Sequence, residues 1–272
     1  MTRLGECLED ELLERNSRPG VTRKEWEEAQ VRRLNEDAGG LNRRDGIDCP
    51  RCRNKGWLYR NTEEGLTALP CDCLRRREIM RRIDESGLGQ SIRAYTFDRF
   101  ADREDWQKTM KQTAQAFCAD ENARWFYIGG QPGSGKTHLC TAICDFYIRR
   151  GLDTRYLLWA EKSKQLKAAV NDSYRSYAAA LEEYKRIPVL YIDDFLKVRQ
   201  GGVPSDGDLN LAFELINARL LSPDRITVIS SEKTLEEAMT YDEATISRIA
   251  QQCGKYRIDV DWDREKNYRL RG

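Results

Sequence analysis

A three-layer α/β sandwich on a mostly parallel five-stranded sheet, preceded by a small helical and cysteine-rich region, is the architecture this sequence predicts. Three observations predict it. Five short apolar or β-branched runs, at residues 125–128, 154–159, 189–192, 226–230 and 256–260, alternate with longer amphipathic stretches. The first run leads into a glycine-rich loop and then a helical pattern. The third ends in two adjacent carboxylates, Asp193 and Asp194. Alternating strands and helices form parallel pairs through crossovers, which cover both faces of the sheet.

Length and charge bound the rest. At 272 residues the chain suits one large domain with a smaller one. Its 46 basic and 45 acidic side chains leave a net charge of +1, so no global polycation announces a nucleic-acid binder and any such patch must be local. No apolar run approaches the roughly 18 residues of a membrane span, and the charged N-terminus is unlike a signal peptide, so a cytoplasmic protein without membrane contact is expected. Nine cysteines in that compartment suggest metal ligation or buried thiols rather than disulfides.

In chain order, residues 1–48 read as a helical partner-docking arm. Leu4, Leu8, Leu12 and Leu13 suggest one amphipathic helix; after Pro19-Gly20, Thr22 and Glu25 form a capping box opening a second, with Trp26, Ala29 and Leu34 on its apolar side. A solvated helical pair leaning on its own neighbour fits the pattern equally. Residues 49–90 read as a metal-binding module with an arginine-rich helix from Leu74 to Ile83, closed by a Ser86-Gly87-Leu88-Gly89 linker. Residues 91–272 form the α/β domain.

Its loop, Gly130-Gln131-Pro132-Gly133-Ser134-Gly135-Lys136-Thr137, matches all eight positions of the P-loop pattern, between a strand and a helix starting near His138. The glycines let backbone N–H groups face phosphates, and the following helix directs its positive end at the same charge. Lys136 should reach the β and γ phosphates of ATP, and Thr137 should give its hydroxyl to Mg²⁺. His138, in the first helical turn beneath the phosphates, is assigned packing or local hydrogen bonding rather than catalysis. Val189-Leu190-Tyr191-Ile192-Asp193-Asp194 reads as a Walker B strand: Asp193 would hold magnesium and Asp194 would orient the attacking water. Because the second acid is the shorter aspartate, slow basal hydrolysis is expected. A small-molecule kinase fits less well, since nothing after the loop resembles a substrate lid.

Together with Tyr95-Thr96-Phe97-Asp98-Arg99-Phe100 and Ile246-Ser247-Arg248-Ile249, these motifs resemble the AAA+ helicase loaders typified by DnaC and DnaI, of the ASCE class of P-loop ATPases, across residues 49–272. The resemblance implies that the stretch holding Phe97 is the opening strand of the nucleotide domain, approaching the adenine. It places Arg248 as an arginine finger reaching a neighbouring subunit's ATP, which makes the active form a homo-oligomer. Two departures stand out. Glu232 occupies the place where many relatives carry a neutral polar sensor. Only 24 residues follow Arg248, too few for a full helical lid. IstB-type transposition helpers share that truncation.

Cys49-Pro50-Arg51-Cys52 and Cys71-Asp72-Cys73 form two close pairs 18 residues apart, a zinc-ribbon-like layout in which four thiolates could close a tetrahedral Zn²⁺ site. Arg51, Arg53, Lys55, Arg75, Arg76, Arg77, Arg81 and Arg82 gather positive charge there. Phosphate-backbone contact and a solvated basic helix both remain open. Cys140 and Cys144 share one side of the helix after the P-loop and read as packing. The resulting expectation is an ATP-dependent loader of a replicative hexameric helicase onto single-stranded DNA. An IstB-like transposition helper and a nucleotide-sensing adaptor with little hydrolysis are the alternatives.

Overall fold

The structure is a computed structural model that describes residues 22–62, 65–172, 174–198 and 202–270. The helix expected around Leu4, Leu8, Leu12 and Leu13, and Cys7, lie outside the described residues. The chain divides into two compact units, Met1–Glu78 and Ile79–Gly272. Among the described residues no helix is long and apolar enough to cross a membrane.

In the first unit the capping box at Thr22 forms as the spacing predicts. The Glu25 N–H donates to the Thr22 hydroxyl and the Thr22 N–H to the Glu25 carboxylate, opening helix Arg23–Glu36. That helix is fixed to a hairpin of β1 (Trp57–Thr62) and β2 (Gly65–Pro70), an antiparallel pair in register from Trp57 against Pro70. The Asn35 amide donates to the Tyr59 carbonyl and accepts from the Tyr59 N–H, each at 2.9 Å. Among the described residues the apolar core here is small and consists of cysteines with Leu58 packed beside them.

In the second unit five parallel strands, β3 (Trp125–Gly130), β4 (Thr154–Leu158), β5 (Val189–Asp193), β6 (Ile226–Ser230) and β7 (Arg257–Val260), lie in the order β4-β5-β6-β3-β7. All five expected strands form. β6 inserts between the P-loop strand β3 and the acidic strand β5, so the ends of all three converge on one point. Strand alternation divides the core into two. Phe126, Ile128 and Tyr191 face one layer with helices Asp105–Ala119 and Lys136–Arg149. Tyr127, Leu190 and Ile192 face the other, with helices Trp159–Asp172, Tyr174–Arg186, Asp206–Leu220 and Glu243–Cys253. Cys140 and Cys144 are fully buried in the first layer.

Two local expectations are corrected. The stretch 95–100 is not an opening strand: the Arg99 N–H closes on the Thr96 carbonyl and the Phe100 N–H on the Phe97 carbonyl, making one 3₁₀ turn, Phe97–Arg99. Ser86 to Gly89 is a packed turn rather than an open linker. The Ser86 hydroxyl donates to the Ile83 carbonyl at 2.7 Å and accepts from the Leu88 N–H at 3.1 Å, and Leu88 is buried.

Candidate nucleotide site

A cleft of about 530 Å³ opens where β3, β5 and β6 end, within the size range of small-molecule sites, roughly 300–1,000 Å³. Pro132, Gly133, Gly135, Lys136, Thr137, His138, Asp193, Asp194 and Glu232 line it, so most of the expected nucleotide residues meet in one place. Gly130, Gln131 and Ser134 support the loop from behind. The Gln131 amide donates to the Asp263 carbonyl at 2.7 Å, and the Ser134 hydroxyl donates to the Gln131 carbonyl at 3.0 Å. Phe97 instead packs beside the core, while its neighbours Tyr95, Arg99 and Phe100 line the cleft. Arg248 is exposed on helix Glu243–Cys253, where it donates to the Asn217 side chain at 2.9 Å and covers the Phe213 ring.

The loop's glycines answer a steric need. Gly133 and Gly135 have φ of +81° and +93°, and a Cβ there would lie 2.0 Å from Asn267 Oδ1 and 2.7 Å from the Phe100 ring. Helix Lys136–Arg149 starts directly at the loop, and its first N–H groups have no acceptor within the helix. They point with the helix dipole at the cleft, a donor set suited to phosphate oxygens.

Lys136 is buried, and its ammonium donates to the carbonyls of Gly130 and Gln131 at 2.8 and 2.7 Å. Burial brings its pKa down to about 8. An anion beside the ammonium would raise that value again, so nucleotide binding takes up a proton between the two pKa values. ATP affinity is therefore expected to fall as pH rises above about 8, by at most tenfold per pH unit, with Lys136→Arg flattening the fall. Calorimetric titration in buffers of different ionisation enthalpy reads the proton uptake directly.

Asp193 is tightly anchored. Its Oδ1 accepts from the Ser230 hydroxyl, from the Thr137 hydroxyl at 3.5 Å and from the Asp194 N–H at 3.1 Å, and its Oδ2 accepts from the Tyr156 hydroxyl at 2.9 Å. Thr137 and Asp193 thus present a hydroxyl and a carboxylate side by side, the hard oxygen donors that suit magnesium. Asp194 has a left-handed backbone, φ +54°, as does Leu196 at +55°. Such non-glycine residues are strained by roughly 1 kcal/mol each, a cost that burial of Phe195 and Leu196 offsets.

His138 is stacked on Tyr95 at 4.9 Å and meets the Phe100 edge at 5.2 Å, while its Nε2–H donates to the Thr96 carbonyl at 2.8 Å. Burial lowers its pKa, which keeps the ring neutral at pH 7. This is a packing role. The tail closes the other side: the Tyr268 N–H donates to the Gly133 carbonyl at 3.0 Å, and Tyr268 and Arg269 line the cleft.

The family description "IstB-like ATP binding protein" matches residues 74–270. The chain belongs to that family. As an IstB-like protein it is a P-loop ATPase, and its sheet is the AAA+ fold. Among relatives, YqaM of Bacillus subtilis is 32% identical over 211 residues, which are 74% of this chain and 66% of YqaM. The phage-like element PBSX protein XkdC of the same organism is 31% identical over 237 residues, 83% of this chain and 87% of XkdC. The solved structure of the DnaC helicase loader superposes with a TM-score of 0.52 at 18% identity, covering 63% of this chain and 98% of that one. The chain spans about two thirds of YqaM's length and most of XkdC's.

In the first unit the four predicted thiols converge. Cys49 and Cys71 sulfurs lie 3.9 Å apart, Cys52 and Cys73 sulfurs 3.5 Å, and all four fall within 4.8 Å of one another. A tetrahedron of about 2.3 Å Zn–S bonds has edges of about 3.8 Å, whereas a disulfide needs about 2.05 Å, so the spacing fits a metal and not cross-links. The turn between Cys52 and β1 holds Arg53, Asn54 and Gly56 at positive φ. It is stitched by Cys49 N–H to Asn54 Oδ1 at 2.8 Å and by Gly56 N–H to Cys52 Sγ at 3.3 Å, the latter a contact that favours a thiolate.

Proposed function

We propose that this ATPase loads a replicative hexameric DNA helicase onto single-stranded DNA, using nucleotide state as the switch. The likeness to the DnaC helicase loader, which extends over 98% of that solved chain, is the observation that carries this reading. Lys136 grips the β and γ phosphates, Thr137 and Asp193 hold magnesium, and Asp194 orients water for slow, partner-stimulated hydrolysis. Arg248 completes a neighbouring copy's site in an ATP-bound oligomer; its exposure apart from its own cleft supports action in trans. Zn²⁺ closes the four-cysteine knuckle, whose exposed Arg53, Arg75 and Arg76 offer contacts to a phosphate backbone. Residues 1–48 dock the helicase.

The family match favours one second reading, an IstB-like helper whose client is a transposase. Copurification from cells with a tagged chain separates the two, with helicase recovery expected and its dependence on ATP lost in Lys136→Ala. Recovery of a transposase instead overturns the loader. Phosphate release rising at least several-fold with single-stranded DNA and helicase is also expected; a flat, negligible rate would reduce the chain to a nucleotide-sensing adaptor. Asp194→Ala should lower the stimulated rate by about 10²–10⁴-fold, the usual span for an acid–base group.

A further inference from the structure

Residues 194–197 form a tight turn closed by the Lys197 N–H on the Asp194 carbonyl at 3.0 Å. Its middle, Phe195 and Leu196, is sunk in the core at 1% and 3% exposure, and the Phe195 N–H is tied to the Ser230 carbonyl at 2.8 Å. The two charged ends of the turn therefore stay at the cleft. There the Lys197 ammonium lies 3.0 Å from Asp194 Oδ2 and 2.9 Å from Glu232 Oε1, and all three side chains line the cleft with Lys136 and Thr137. Burial alone would lower the Lys197 pKa, but its hydrogen bonds to Glu232 and Asp194 outweigh that and raise it, so the charge is secure.

Two carboxylates share this one cation. A terminal phosphate entering beside them would face the Asp194 and Glu232 carboxylates unless Lys197 turned toward it. Lys197 has the reach to do so, being a half-exposed ammonium on a flexible stem. A shorter nucleotide asks nothing of it. We infer that Lys197 distinguishes ATP from ADP: it exchanges its contact with Asp194 for one with the γ-phosphate while Glu232 keeps hold of it, and so releases Asp194 to orient water. This rests on the cleft being the ATP site. Glu232 then acts as the counter-ion that sets how readily Lys197 moves, not as a phosphate contact, since its own charge repels phosphate.

Calorimetric titration of the full chain with Mg·ADP and a magnesium-bound non-hydrolysable ATP analogue tests it. Lys197→Ala should weaken the analogue on the order of tenfold, the size of one charge-assisted hydrogen bond, and change ADP by less than about threefold. Lys197→Arg should restore most of the preference. Glu232→Gln, which keeps an acceptor oxygen but removes the competing negative charge, should strengthen the analogue by about threefold. Equal losses for both nucleotides in Lys197→Ala, no loss for either, or a Glu232→Gln change matching that of Lys197→Ala would each overturn the assignment. A wild-type chain that binds neither nucleotide would instead overturn the ATP site itself. Melting curves of all three variants confirm folding, and Lys197→Gln serves in place of the alanine if that variant does not fold.

Discussion

Lys136→Ala is expected to weaken ATP binding on the order of 100-fold while leaving the melting temperature without nucleotide nearly unchanged. The first half follows from geometry: the ammonium stands at the loop's base, and one charge-assisted contact to phosphate contributes about 1.5–3 kcal/mol. The second half follows from burial. Lowering the pKa from 10.5 to about 8 means that the charged side chain costs the fold about 3 kcal/mol at neutral pH. Its sign is that of a lowered cation: the penalty is present in full below pH 8 and fades as pH rises toward the unfolded value of 10.5. Alanine removes this penalty together with two hydrogen bonds to carbonyls, so the two losses nearly cancel. Thermal shift with and without ATP checks both halves at once. An ATP-induced shift in the variant equal to the wild type's, or a large drop without nucleotide, would contradict the account.

The P-loop and the acidic strand were legible because both are local. Eight consecutive residues specify the cradle, and a strand buried on both faces is a continuous apolar run wherever it occurs. The four cysteines were legible for the same reason, in two close pairs. What sequence could not give is what neighbouring strands and the tail bring to these motifs. The Tyr156 hydroxyl reaches Asp193 because β4 lies beside β5 with Leu158 opposite Asp193, and Ser230 reaches it because β6 lies on the other side. Neither residue type carries a signal of its own. Lys197 was unread for a related reason: two left-handed residues fold the turn back so that the lysine emerges at the cleft, and nothing in Phe-Leu-Lys announces this. The same logic explains Phe97. The family resemblance implied that this stretch is a strand approaching the nucleotide, but a 3₁₀ turn in place of a strand puts Phe97 against the core and its neighbours at the cleft. Arg269, at the cleft from the tail, had only its charge to suggest it.

Removing zinc from the site proposed at the four cysteines is expected to produce the other large effect. Among the described residues the core of this unit is little more than the cysteines themselves with Leu58, so they supply little of the burial that drives ordinary folding. Structural zinc in sites of this size contributes about 10–16 kcal/mol of apparent binding free energy at pH 7, which is then the folding free energy of the unit. Without it four sulfurs within 4.8 Å would be held against chain entropy by hydrogen bonds such as Cys71 N–H to the Gly56 carbonyl at 2.8 Å, Lys55 N–H to the Cys52 carbonyl at 3.1 Å, the Asn54 turn contact and the Asn35 clamp. Arg77, buried beside Asp45 and the Ile47 carbonyl, would also lose the turn that packs around it. The purified chain should carry zinc at these four cysteines, and chelation or Cys52→Ser should release it. Hydrogen exchange should then show loss of protection across β1 and β2, by at least three orders of magnitude if even about 4 kcal/mol is lost. Amides of β3 and β5 should stay protected, because their core is built from other residues. Protection of β1 and β2 that survives complete removal of metal would mean that hydrogen bonding alone holds the knuckle, and that the cysteines are not its source of stability.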